Sequence, residues 1–92
     1  MARKKAAKQG QTFSIHAPGA GTVLLAGNFT HWQQDALPMA KSEHGMWSVT
    51  VPLAAGTYYY RFIVDGEWQD DPACTLRVTN PYGSQDNVRS VI

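Results

Sequence analysis

The stretch GTYYYRFIVDGEWQ (56–69) constrains this chain more than any other. From Tyr58 to Asp65 the residues alternate. Tyr58, Tyr60, Phe62 and Val64 fall on one face of an extended strand, and Tyr59, Arg61, Ile63 and Asp65 fall on the other. Asp65-Gly66 then supplies what a two-residue hairpin demands, because both central positions of that turn need positive φ. Glu67, Trp68 and Gln69 return as the second strand. If Tyr60 and Phe62 are core, Arg61 faces outward, and the hairpin brings Trp68 beside it, since cross-strand neighbours sit about 5 Å apart.

The rest of the chain is also β in pattern. TFSIHA (12–17), TVLLAG (22–27), Met46–Leu53, CTLRVT (74–79) and NVRSVI (87–92) read as strands. LPMAK (37–41) reads as a short edge strand, because Pro38 cannot donate to a ladder. PGAG (18–21), AAG (54–56) and NPYGSQD (80–86) are turns or loops by composition. No segment sustains a 3.6-residue period. Seven or eight short strands with turns between them imply an all-β antiparallel sandwich. Ninety-two residues make one domain, expected over 11–92, behind a basic, disordered tail at 1–10.

Charge narrows the partners. Arg3, Lys4, Lys5 and Lys8 are half of the eight basic residues. From residue 11 onward Lys41, Arg61, Arg77 and Arg89 face all seven acids, a net charge of −3. Such a surface does not suit a phosphate backbone, so no nucleic-acid partner is expected. No apolar run approaches a membrane span, and MARKKAAKQG (1–10) lacks a secretory apolar segment, so no membrane partner is expected either. A single cysteine, Cys74, rules out an intramolecular disulfide and reads as a small buried hydrophobe. The expected location is cytoplasmic.

Catalysis finds little support. His16, His31 and His44 have no metal-ligand spacing, and no nucleophile elbow, phosphate loop or dinucleotide fingerprint is present. Neither metal nor cofactor is expected. Asp70 and Asp71 invite a glycosidase reading, in which two carboxylates flank a glycosidic bond. Adjacent residues on an extended segment point to opposite faces, so these two do not share a substrate. Asp71-Pro72 reads instead as a turn into the next strand.

The tryptophans are more informative. Trp47 leads the alternating run MWSVTVPL and belongs in the core. Trp32, in GNFTHWQQD (27–35), and Trp68, in VDGEWQDD (64–71), have no apolar neighbours to be buried with. Sugar rings offer C–H faces to aromatic rings and hydroxyl rims to polar groups. Gln33 and Gln34 beside Trp32, Arg61 beside Trp68, and Ser84, Gln85, Asp86 and Asn87 in the last loop provide such a fringe.

Three stretches carry a family likeness: VLLAGNFTHWQ (23–33), GTYYYRFIVDGEWQDDP (56–72) and YGSQDNVRSVI (82–92). With them the chain resembles the glycogen-binding domain of the β subunit of AMP-activated protein kinase. More broadly it is similar to the family-48 carbohydrate-binding modules, the early-set domains of isoamylases and glycogen-branching enzymes. The resemblance implies an immunoglobulin-like sandwich that binds α-1,4-glucan without catalysis. It implies Trp32 and Trp68 as stacking rings and Arg61 in the place of a sugar-bonding Lys. In the last loop it implies Tyr82 for a projecting Leu, Ser84 for a Thr, and Asp86 for an Asn, with Asn87 next door able to substitute. Glycogen or maltooligosaccharide is then the ligand, and an amylolytic enzyme or a kinase-like partner the protein partner. The alternative is a structural or protein-interaction early-set module accessory to a glycoside hydrolase or branching enzyme, with weak or no glucan binding. The chain suits a free-standing protein and a piece of a larger enzyme alike.

Overall fold

The computed structural model describes residues 8–92. Nine strands are present among them: β1 (Gln9–His16), β2 (Val23–Gly27), β3 (Leu37–Pro38), β4 (Ala40–Lys41), β5 (Met46–Leu53), β6 (Gly56–Val64), β7 (Glu67–Gln69), β8 (Arg77–Thr79) and β9 (Gln85–Val91). All pairings are antiparallel. One sheet runs β1-β5-β4 and the other β3-β2-β6-β9-β8, with β7 also on β6. This is the expected all-β sandwich. Its first strand starts at Gln9, two residues before the expected domain start, and residues 1–7 of the expected tail lie outside the described residues.

The strand count rises because LPMAK divides. Leu37–Pro38 pairs with β2 in one sheet and Ala40–Lys41 with β5 in the other. Met39 between them donates its N–H to Val23 O at 2.9 Å and buries its side chain in the core. β3 is a sheet edge, as Pro38 requires. CTLRVT yields a strand only over its second half, Arg77–Thr79; Cys74 is half-buried beside it, where a fully buried thiol was expected.

The core is aromatic and follows strand parity. Phe13 and Ile15 of β1 and Trp47 and Leu53 of β5 meet Val23, Leu25, Tyr60, Phe62 and Val91 from the other sheet. The rings of Phe13 and Tyr60 meet edge-on, 4.8 Å between centroids. Trp47 is 7% exposed and its indole N–H donates to Ala17 O at 2.9 Å, so its polar end is satisfied inside. Full burial of each large apolar side chain stabilises the fold by roughly 1.5–3 kcal/mol.

β6 is the organising strand. β2 pairs with it over Tyr60–Val64 on one edge. Its other edge is divided: β9 pairs over Gly56–Tyr60 and β7 over Phe62–Val64. The Asp65-Gly66 turn closes the β6–β7 hairpin with φ of 49° and 85°. Asp65 does more than turn the chain. Its Oδ1 accepts from Gly21 N (2.8 Å) and Thr22 N (2.9 Å), tying the hairpin tip to the entrance of β2.

Those amides of Thr22 and Gly21 hold the Asp65 carboxyl below the usual carboxylate range. A lowered folded-state value means stability present at neutral pH and lost as pH falls through that value. Asp65→Asn keeps a turn-competent residue and an acceptor oxygen but not the charge. Wild type is therefore expected to be more stable than the variant at neutral pH, with the gap closing in strong acid; urea denaturation across that pH span checks it.

Candidate functional site

The loop after β2 delivers Trp32. Gly27 opens it and must be glycine: a Cβ there would lie 2.5 Å from Tyr59 O and 2.6 Å from Phe29 Cε1. Thr30 is buried, and its Oγ1 accepts from Gly27 N at 3.0 Å and lies 2.9 Å from Trp32 O, to which it can donate. His31 and Trp32 both adopt left-handed backbone, with φ of 55° and 56°. Non-glycine residues there cost of order 1–3 kcal/mol each. A single 3-10 turn, Trp32–Asp35, follows, with His31 Nδ1 2.9 Å from Asp35 Oδ2. No sequence pattern in this polar run announced that turn.

Trp68 comes from β7. It stands opposite Ile63, which is buried although it lies on the outer face of β6. Trp68 is 40% exposed and Trp32 is half-buried. The two rings lie 6.5 Å apart between centroids, with planes inclined by 58°. The Arg61 guanidinium sits 5.7 Å from the Trp68 ring centroid, close enough for a cation–π contact. Arg61 projects from the outer face of β6, as parity requires, and its Nη2 lies 3.2 Å from Asp70 Oδ1. That spacing makes an ion pair, but its alignment falls short of a hydrogen bond, and Arg61 Nε has no partner.

These groups line an open groove of about 560 Å³ with Gln33, Asn80, Pro81, Tyr82, Ser84 and Asp86. Trp32, Arg61, Trp68, Tyr82, Ser84 and Asp86, singled out from sequence, thus converge. The far wall is the 80–84 loop. Asn80 builds it: Oδ1 accepts from Tyr82 N (3.0 Å) and Ser84 N (3.1 Å), while Nδ2 donates to Asp86 Oδ1 (3.1 Å). Gly83 completes the turn with φ of 85°. Tyr82 is left 91% exposed. Sequence reasoning placed Asn80 and Pro81 in a loop but did not name them among the site residues.

Asn87 is elsewhere. The expectation that it could replace Asp86 at the surface meets a side chain that is 0% exposed. It pairs with Tyr60 in register and shares its inward face. Asn87 Nδ2 donates to Tyr60 O at 3.0 Å, and its Oδ1 accepts from Asp71 N and Arg77 Nε, each at 3.2 Å. The parity rule that separates Asp70 from Asp71 also separates Asp86 from Asn87. Asp71 is buried as well: Oδ2 accepts from the Tyr60 hydroxyl at 2.6 Å and Oδ1 from Ala73 N at 2.9 Å. Burial and then that carboxylate contact push the Tyr60 phenol well above its ordinary range. Asp70 and Asp71 face opposite ways, so they do not form the carboxylate pair of a glycosidase.

An antiparallel sandwich with an open aromatic groove, rimmed by amide, hydroxyl and charged groups, is a surface-binding module in its architecture. The comparison with known families agrees: residues 11–92 match the model described as the glycogen recognition site of AMP-activated protein kinase, and the chain belongs to that family. It is a binding module, not an enzyme. Among curated relatives, the protein PTST homolog 2, chloroplastic, of Arabidopsis thaliana is 41% identical over 78% of this chain, which spans 14% of that protein. The β-1 subunit of 5'-AMP-activated protein kinase from Sus scrofa is 33% identical over 95% of this chain and 69% of its own length. The 1,4-alpha-glucan branching enzyme GlgB of a Synechococcus strain is 33% identical over 88% of this chain, which spans 10% of that enzyme.

Asn87→Ala removes three buried hydrogen bonds and leaves Tyr60 O, Asp71 N and Arg77 Nε short of a partner. It should cost about 2–3 kcal/mol in urea denaturation.

Proposed function

We propose that this chain binds glycogen-like α-1,4-glucan without catalysis, in the groove between the Trp32–Trp68 pair and the 80–84 loop. The observation that carries the reading is the ring pair, 6.5 Å apart and inclined by 58°. Two inclined rings suit successive sugars of a curving α-1,4 chain better than the flat ribbon of a β-1,4 chain. In this reading Trp32 and Trp68 stack on glucose C–H faces. Arg61 and Asp86 meet hydroxyls as donor and acceptor, Ser84 serves as either, and Tyr82 lies against the chain. Family membership and the names of the relatives support the ligand class.

The protein partner we propose is an amylolytic enzyme or a kinase-like assembly; relatives of this chain include a glucan branching enzyme and a kinase subunit. Among the described residues no helix is long and apolar enough to cross a membrane. We place the module in a reducing compartment, where the unpaired Cys74 is at home. The cytoplasm fits that, and one relative is named as chloroplastic.

Short maltooligosaccharides should bind weakly, with Kd on the order of 10 µM to 1 mM, because only a few sugars are covered. Titration of indole NMR signals with maltoheptaose should show saturable shifts at Trp32 and Trp68 and none at Trp47. Trp68→Ala should lower affinity by at least about 2 kcal/mol. Glycogen and amylose should bind and cellulose should not. An unchanged affinity in a folded Trp68→Ala protein would sink the reading.

A further inference from the structure

Arg61 is the one cation among the described residues lining the groove, and its charge is already paired. Its partner, Asp70, follows β7 one residue beyond Gln69, so the segment that delivers Trp68 also delivers the carboxylate. Arg61 is 16% exposed and Asp70 39%, so the pair is partly shielded from water. Asp86 is the one carboxylate among the described residues lining the groove, one step along β9 from the Tyr60–Asn87 pair and toward Arg61. Asp35, on the Trp32 turn, is paired with His31, the other titratable group on that turn. A neutral sugar meets rings and hydrogen-bonding groups in this groove. An anion meets the Asp86 carboxylate and, among the described lining residues, no unpaired cation.

We propose that Asp70 is a specificity-determining residue: by pairing with Arg61 it suits the groove to uncharged glucan and turns away glucan bearing phosphate esters. This rests on the α-glucan reading above. Without the Asp70 charge, Arg61 presents a planar donor fork to the groove, the arrangement by which arginine takes up phosphate. Asp70 need not touch sugar to exert this effect, so it is a positioning residue for Arg61.

The test is calorimetric titration of two ligands, maltoheptaose and maltoheptaose bearing a 6-phosphate monoester, into wild type, Asp70→Asn and Asp70→Glu. Wild type should prefer the neutral sugar. In Asp70→Asn that preference should fall by about threefold or more at low ionic strength, and the change should shrink in high salt. Asp70→Glu should restore the preference. A purely structural role would weaken both ligands alike and leave their ratio unchanged, which overturns the proposal. Equal binding of both ligands to wild type overturns it too. Binding of neither ligand to wild type defeats the α-glucan reading itself, and this inference with it.

Discussion

The divided edge of β6 is the constraint on which the groove depends. Two strands share that edge, and where β7 leaves and β9 begins the backbone ladder is interrupted. An interrupted ladder strands polar groups, and stranded polar groups inside a protein are costly. Asn87 resolves this with one amide, which holds Tyr60 O on β6, Asp71 N beyond β7 and Arg77 Nε on β8. Arg77 also donates to Asp71 O at 2.9 Å. Asp71 adds its own bond to the Tyr60 hydroxyl. The hairpin carrying Trp68 and the loop carrying Tyr82 are therefore fastened to the same buried knot. The groove's two walls are thus tied together by interior hydrogen bonds as well as by Asn80, which lines the groove.

Much of this was legible in the sequence because strand parity is a strong rule where one face is buried. The alternation over Tyr58–Asp65, with Asp-Gly after it, located the hairpin, the outward Arg61 and the neighbouring Trp68. Trp47 separated from the other tryptophans by the same logic. What escaped was irregular or depended on partners distant in sequence. The turn at Trp32–Asp35 rests on left-handed backbone at two non-glycine residues, which no propensity favours. Asn80 acts through hydrogen bonds local to its loop. Asn87 reads as a polar loop residue until β9 is seen to begin at Gln85. Once that start is known, Asp86 takes the groove face, where it is only 8% exposed, and Asn87 faces the core.

The groove shows where a small fold spends its strain. Thr30, buried at the root of the loop, and Gly27, with no room for a side chain, together hold His31 and Trp32 in a conformation the backbone resists. Strain of that size persists only where surrounding contacts over-determine it. The contacts are few but well placed: a hydroxyl bonded on both sides, a glycine against β6, and the ring of Trp68 within reach. Trp32 is held at a fixed angle before any ligand arrives, so little ordering remains to be done on that side.

The opposite wall is built differently. Tyr82 rides on a turn whose backbone Asn80 fixes, but its own ring is almost wholly in solvent. Exposed side chains change rotamer in picoseconds to nanoseconds. The groove is thus a vice with one fixed jaw and one swivelling jaw. In the proposed α-glucan reading the tryptophan side dictates curvature, while the tyrosine side follows chains of differing thickness or branching at the cost of freezing one ring. In that reading tolerance and selectivity are assigned to different walls of a single groove.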